Sequence, residues 1–247
     1  MKQVRVMVIV PAFNEEAAIG GVVRSVRRIL PGAPIFVIDD FSSDATARLA
    51  QEAGAKVVRL PAHRGLGECL RTGYRLAYEA GCDYAIRLDG DGQHEAADIP
   101  LMLEALTSNG TDAVIGSRFL TPGNWESPFA RAVGIALFRR LLKPVLGKTV
   151  HDPTSGFIGV NRRALEVFSR DLPLHYPEIG GLMMLKRNRF RFHEISCRMH
   201  PRRTGCSSFT FTKSFHYTLH VLLGIFVNSV RFGIPIGPVA RHGFEGE

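Results

Sequence analysis

Two carboxylates spaced two residues apart, Asp89 and Asp91 in the run LDGDGQH at 88–94, are the groups in this chain best suited to chemistry. A glycine follows each, so the backbone can turn tightly and bring both side chains towards one point. Hard divalent cations want such oxygens, and Mg²⁺ is commonly held by only one or two carboxylates together with the phosphates of a substrate. An isolated DGDG is also the sequence of an ordinary turn. The choice between the two readings rests on what else the chain brings to the same place.

The elements that must position these residues follow from the apolar pattern. A continuous apolar run at 4–10, broken only by Arg5 and closed by Pro11, predicts a buried parallel strand that ends at the proline. Ile19, Val22, Val23, Val26 and Ile29 recur at helical spacing, which predicts a helix over 16–30 stopped by Pro31 and Gly32. By the same reasoning strands are expected at 35–38, 56–60, 84–88, 112–116, 157–160 and 190–195. Helices are expected through Leu49 and at 68–79, 96–106, 131–142, 162–168 and 180–186. Alternation at this spacing implies βαβ units, right-handed crossovers and a parallel sheet. Ligands of open α/β sheets bind outside the carboxyl ends of the strands, and Asn14, Glu15, Asp39, Asp40, Asp89 and Asp91 all fall at such ends. Separate loops thereby supply one acidic pocket.

Composition bounds the partner. The 247 residues carry a formal charge of +8 and 45% apolar residues, an ordinary globular composition biased towards an anionic partner. A nucleotide diphosphate reconciles that bias with the acidic loops, because a metal can stand between its phosphates and the carboxylates while arginines grip the remaining oxygens. Asp91 would touch the metal, Arg118 and Arg202 would hold phosphates, and Glu15 and Asp39 would accept hydrogen bonds from ring nitrogens or sugar hydroxyls. Nucleic acid is not expected as a partner, since the acidic cluster would repel its backbone. No GxGxxG follows the first strand and no GxxxxGK[ST] occurs, which argues against a dehydrogenase and a P-loop kinase. His63, His94, His151 and His200 lack zinc-ligand spacing and read as surface or capping residues, His94 being the exception to test because it adjoins the acidic loop, and the four cysteines are scattered without CxxC spacing, as in a reduced cytoplasmic setting. After residue 208 the chain turns basic, aromatic and helical, but its apolar run at 221–227 is far shorter than the roughly 20 residues that cross a bilayer. Residues 1–208 are therefore expected to form the catalytic domain. Residues 209–247 are expected to form an amphipathic helix and tail that meets a membrane surface or a second copy of the chain.

VIVPAFNEE, VIDDFSSDAT, LDGDGQH, IGSRF, DPTSGF and RRTGCS, in that order over residues 4–210, resemble family 2 glycosyltransferases of the GT-A fold. More narrowly they resemble the branch with dolichyl- or polyprenyl-phosphate hexosyltransferases. The resemblance implies an α/β GT-A fold with a mostly parallel sheet flanked by helices. It implies an inverting enzyme that moves a hexosyl group from GDP-mannose or a UDP-hexose to polyprenyl phosphate with Mg²⁺ or Mn²⁺, at the cytoplasmic face of a membrane, with a small membrane partner or a homodimer left open. Pro11, Ala12, Asn14, Glu15, Asp39 and Asp40 would then line the nucleoside site. Asp89 would bind sugar or ribose hydroxyls, Asp91 would ligate the metal and Gln93 would assist it. Arg118 and Arg131 would attract the acceptor phosphate, Arg202 would close on the donor diphosphate, and Asp152 would organise metal or acceptor, a phosphate acceptor needing no strong base. The alternative within the family is a soluble acceptor: a small sugar, a peptide or a secondary metabolite. One departure stands out. Phe41 and Ala45 replace glycines of the common DDGSxDGT pattern, so that loop is expected to be less flexible.

Overall fold

Strands and helices alternate along the chain, in a computed structural model that describes residues 4–108, 110–121 and 129–200. The order is β1 (Val6–Ala12), α1 (Ile19–Ile29), β2 (Ile35–Asp39), α2 (Thr46–Glu52), β3 (Lys56–Arg59), α3 (Leu66–Glu79) and β4 (Tyr84–Arg87). A 3₁₀ turn, Ala96–Asp98, leads into α4 (Ile99–Thr107), followed by β5 (Ala113–Ser117), α5 (Phe129–Leu146), β6 (Ile158–Asn161), α6 (Arg162–Asp171), α7 (Pro177–Arg187) and β7 (Phe192–Ser196). The expected C-terminal helix, Arg202 and the loop around Trp125 lie outside the described residues. Cys69, Cys82 and Cys197 are buried free thiols.

The strands form one sheet in the order β3-β2-β1-β4-β6-β5-β7. It is parallel from β3 to β4 and between β5 and β7, as the alternation of strands and helices predicts. β6 departs from that expectation, because it runs antiparallel to both of its neighbours. The reversal has a positional consequence. Ile158, where β6 begins, pairs with Arg87 at the end of β4 and with Ile115 near the end of β5, so the DPTSGF loop arrives at the edge where the parallel strands terminate.

Two apolar layers hold the sheet. Val8, Val10, Ile35 and Val37 face a cluster that includes residues of α1 and α4, while Met7, Ile9 and Ile38 face one that includes residues of α3, α5, α6 and α7. This is the alternation a strand imposes when both of its faces are covered. β1 also runs through Pro11 rather than stopping before it. The carbonyl of Ala12 accepts from Asp40 on β2's side and that of Ile9 accepts from Leu88 on β4's side, so the Pro11 nitrogen faces β4. Pairing with β4 has already ended at Ile9, so no ladder bond is lost at the proline.

Candidate active site at the carboxyl edge of the sheet

β1 lies between β2 and β4, and the loops leaving these three strands converge on one crevice. The first carboxylate of LDGDGQH is fixed from below. Arg87, 1% exposed, sends Nη2 and Nε to Asp89 Oδ1 at 3.0 and 3.2 Å and Nη2 to Glu178 Oε1 on α7 at 2.8 Å. Burial alone pushes the Asp89 carboxyl up. The buried Arg87 guanidinium and the His94 ring together outweigh it and hold the group well below the usual carboxylate range, and Arg87, which burial lowers, is raised in turn by the two acids. Asp89 is thus ionised at neutral pH, with one-third of its side chain exposed. On its other side, a side chain on Gly156 of DPTSGF would run into the carboxylate. His94 Nε2 stands 3.6 Å from Asp89 Oδ2, and its buried ring lies against Phe157. Sequence reasoning missed Arg87, Glu178 and Gly156. A charge within the apolar strand YAIR was the available signal for Arg87.

Asp91 is half-buried, and its Oδ1 accepts from the Gln93 backbone N–H at 3.0 Å in the tight turn that Gly92, at φ +74°, makes accessible. Gly90 lets this loop touch the end of β1, since a Cβ there would lie 3.0 Å from the Pro11 carbonyl and 3.3 Å from the Ala12 methyl. Gln93 does more than its sequence role suggests. Its Nε2 donates to the His200 carbonyl at 3.2 Å, its own carbonyl accepts from His200 N at 2.7 Å, and Glu95 takes the His200 ring at 2.8 Å. These bonds staple the chain at His200 to the acidic loop. Among the described residues no three His, Cys, Asp or Glu side chains are grouped to hold a metal. The donors present therefore suit a hard cation that takes most of its ligands from a diphosphate and water, not one held in a protein cage.

At the ends of β1 and β2 the expected nucleoside residues divide into two kinds. Asn14 and Asp40 build the loops. Asn14 N donates to Ser42 Oγ and its Oδ1 accepts from Ser43 N, both at 2.9 Å, while Asp40 accepts from Arg64 N and Gly65 N at 2.7 and 2.8 Å. Glu15 is half-buried beside them, with its backbone N–H donating to Thr46 Oγ1 at 2.8 Å. Asp39 differs. It is fully buried, Oδ1 accepts from Ser42 N at 3.1 Å, and Oδ2 has no hydrogen-bond partner, only the Arg59 Nε at 3.4 Å. Among these residues it is Asp39 that keeps an unsatisfied acceptor.

Arg118 and Asp152 come together, but as partners of each other. Arg118 is 8% exposed and donates through its backbone N, Nε and Nη2 to the Asp152 carboxylate at 3.1, 2.6 and 2.6 Å, with a further bond to Thr154. Glu194 on β7 accepts from the backbone N–H groups of His151 and Asp152, both at 2.7 Å, which pins the DPTSGF loop across β5. An arginine so engaged is not presented to an acceptor phosphate, and a carboxylate 1% exposed under it is placed neither to ligate a metal nor to act as a base. Arg131 lies in the first turn of α5.

A family model described as Glycosyl transferase family 2 matches residues 7–168. The dolichol-phosphate mannosyltransferase of Pyrococcus furiosus is 32% identical over 88% of this chain and 62% of its own length. The polyprenol monophosphomannose synthase of Mycolicibacterium smegmatis is 30% identical over 66% of this chain and 63% of its own length. The chain thus spans about six-tenths of these two relatives. A crystal structure of glucosyl-3-phosphoglycerate synthase from Mycobacterium tuberculosis, in complex with Mn²⁺, UDP-glucose and phosphoglyceric acid, overlays 94% of this chain and 80% of its own at a TM-score of 0.67 and 25% identity. That complex corrects the expectation of a polyprenyl-phosphate acceptor and a membrane partner. It overlays 94% of this chain, against 88% and 66% for the two lipid-linked relatives above, and the acid bound in it is small and carries no lipid. The internal pairing of Arg118 with Asp152 removes one of the residues on which the lipid-phosphate reading rested. No helix among the described residues is long and apolar enough to cross a membrane.

Proposed function

Since the chain belongs to glycosyl transferase family 2, we propose that it is a metal-dependent glycosyltransferase that moves a hexosyl group from a nucleotide sugar to a small soluble acceptor. The observation that carries the reading is the likeness, over nearly the whole chain, to a synthase crystallised with Mn²⁺, UDP-glucose and phosphoglyceric acid. The strand-end crevice supports it residue by residue. Asp91 and the amide oxygen of Gln93 would hold Mg²⁺ or Mn²⁺, which supplies charge to the departing diphosphate. Asp89, ionised and immobilised by Arg87, accepts hydrogen bonds from sugar or ribose hydroxyls. Asp39 and Glu15 face the nucleoside, beside the buried end of β1 at Pro11 and Ala12. Arg202 closes on the diphosphate, and Arg131 serves the acceptor. Asp152 acts through Arg118 by holding the loop that carries Gly156 against Asp89.

The test is product formation from a panel of UDP- and GDP-sugars with Mn²⁺, offered phosphoglyceric acid, other small hydroxy acids and simple sugars on one side and a short polyprenyl phosphate on the other. Transfer to a soluble acceptor, abolished by chelating the metal, is the expected result. Turnover confined to the lipid phosphate would overturn the acceptor assignment.

A further inference from the structure

Phe41 is the residue in the crevice whose conformation the fold itself does not explain. Its φ is +66°, in the left-handed region that suits glycine and crowds a Cβ, and yet its ring is 48% exposed, so packing does not compensate the strained backbone. The ring is oriented by Arg59, whose guanidinium carbon lies 5.2 Å from its centroid. Arg59 is held in that place from two sides, by Nη2 on the Ser42 carbonyl at 2.7 Å and by Nε 3.4 Å from the unsatisfied Oδ2 of buried Asp39. A second aromatic is arranged in the same way one strand over. Phe13, 43% exposed at the end of β1, stacks on His63 at 4.2 Å, and the His63 Nδ1 pairs with Asp40 at 2.8 Å. The two loops are tied together through Asn14, Ser42 and Ser43. Both exposed rings therefore stand on the loops leaving β1 and β2, each backed by a basic side chain anchored to a buried aspartate.

We infer that Phe41, backed by Arg59, is the stacking platform for the nucleobase of the donor and so a residue that sets nucleotide affinity at the site. Every base has a π-face that an aromatic ring can take, and a ring pre-set by a guanidinium on one side loses little freedom when a base settles on its open face. This rests on the reading of the chain as a nucleotide-sugar transferase, and the controls separate the two.

Calorimetric titration of the full chain with UDP, GDP and inorganic pyrophosphate, all in Mn²⁺, tests it with Phe41→Gly and Phe41→Leu. Removing the ring should weaken the better-bound nucleotide about tenfold and leave pyrophosphate, which has no base, unchanged. Phe41→Gly should melt no lower than the parent because the strain is relieved, while Phe41→Leu keeps the bulk without the π-face and should lose the same affinity. Nucleotide binding unchanged in both variants, or pyrophosphate weakened as much as the nucleotide, overturns the inference. A parent protein that binds pyrophosphate but gains nothing from a base overturns it too. If the parent binds none of the three, the donor reading itself fails and the platform fails with it.

Discussion

Asp89 owes its charge to a neighbour that the water does not reach. A buried arginine between two carboxylates is stable only while both partners remain, and removing one member of such a set leaves uncompensated charge in a low-dielectric interior. Arg87→Ala should therefore destabilise the fold by about 3–5 kcal/mol in urea unfolding, and a loss well under 1 kcal/mol would show that the network is not what holds Asp89. The pH dependence follows from the direction of the shift. Because the folded-state Asp89 is depressed, its contribution is complete above the ordinary carboxylate value near ~4 and is lost progressively as pH falls below it towards the folded-state value. Melting temperatures across the acid range should show this decline in the parent and less of it in Asp89→Asn. Asp89 and Asp91 were legible as chemistry from their spacing, and Arg87 was legible as an anomaly in an apolar strand. Glu178 was not, because 91 residues separate it from Arg87 and no local period connects them.

At the scale of elements, the antiparallel insertion of β6 decides the shape of the crevice. Had β6 run parallel, DPTSGF would have emerged at the opposite edge of the sheet, and neither Gly156 nor Asp152 could have met the loops after β4 and β5. The alternating apolar runs foretold where strands lie, yet a short run such as IGVN has no marker of direction. For this reason the mixed sheet and the mutual engagement of Arg118 and Asp152 were not read from sequence. Helix ends were missed for local reasons. α1 begins at Ile19 because Glu15 and Glu16 are engaged in the loop contacts with Thr46 and Ala45, and α7 begins at Pro177, a residue suited to the first turn because its missing N–H has no partner there. The contact between Gly156 and Asp89 gives an element-scale prediction. Gly156→Ala should displace one of the two loops and reduce turnover on the order of 100-fold, with about 1–3 kcal/mol of stability lost. Full activity in that variant would mean that the loops are not in register as described.

At the scale of the whole molecule, a strongly basic chain places Asp39, Asp40, Asp89 and Asp91 at one edge of its sheet. The formal charge of +8 favours approach of an anionic nucleotide, and the acidic edge demands a metal once it arrives. That much follows from composition and strand ends together. The acceptor did not follow, because its identity depends on the side chains that close the crevice from outside the sheet, and basic residues in a sequence look alike whether they are paired internally or presented to a ligand. Arg118 is the instance: read as a phosphate-attracting group, it is bound in the fold to a carboxylate 34 residues away. The claim that the LDGDGQH loop is where metal and diphosphate meet is most directly tested by titrating UDP into the parent and into Asp91→Ala, each with Mn²⁺ and with chelator. Binding that needs Mn²⁺ in the parent and is lost in Asp91→Ala, at an unchanged melting temperature, is the predicted result; Mn²⁺-dependent binding of equal strength in both proteins would contradict it.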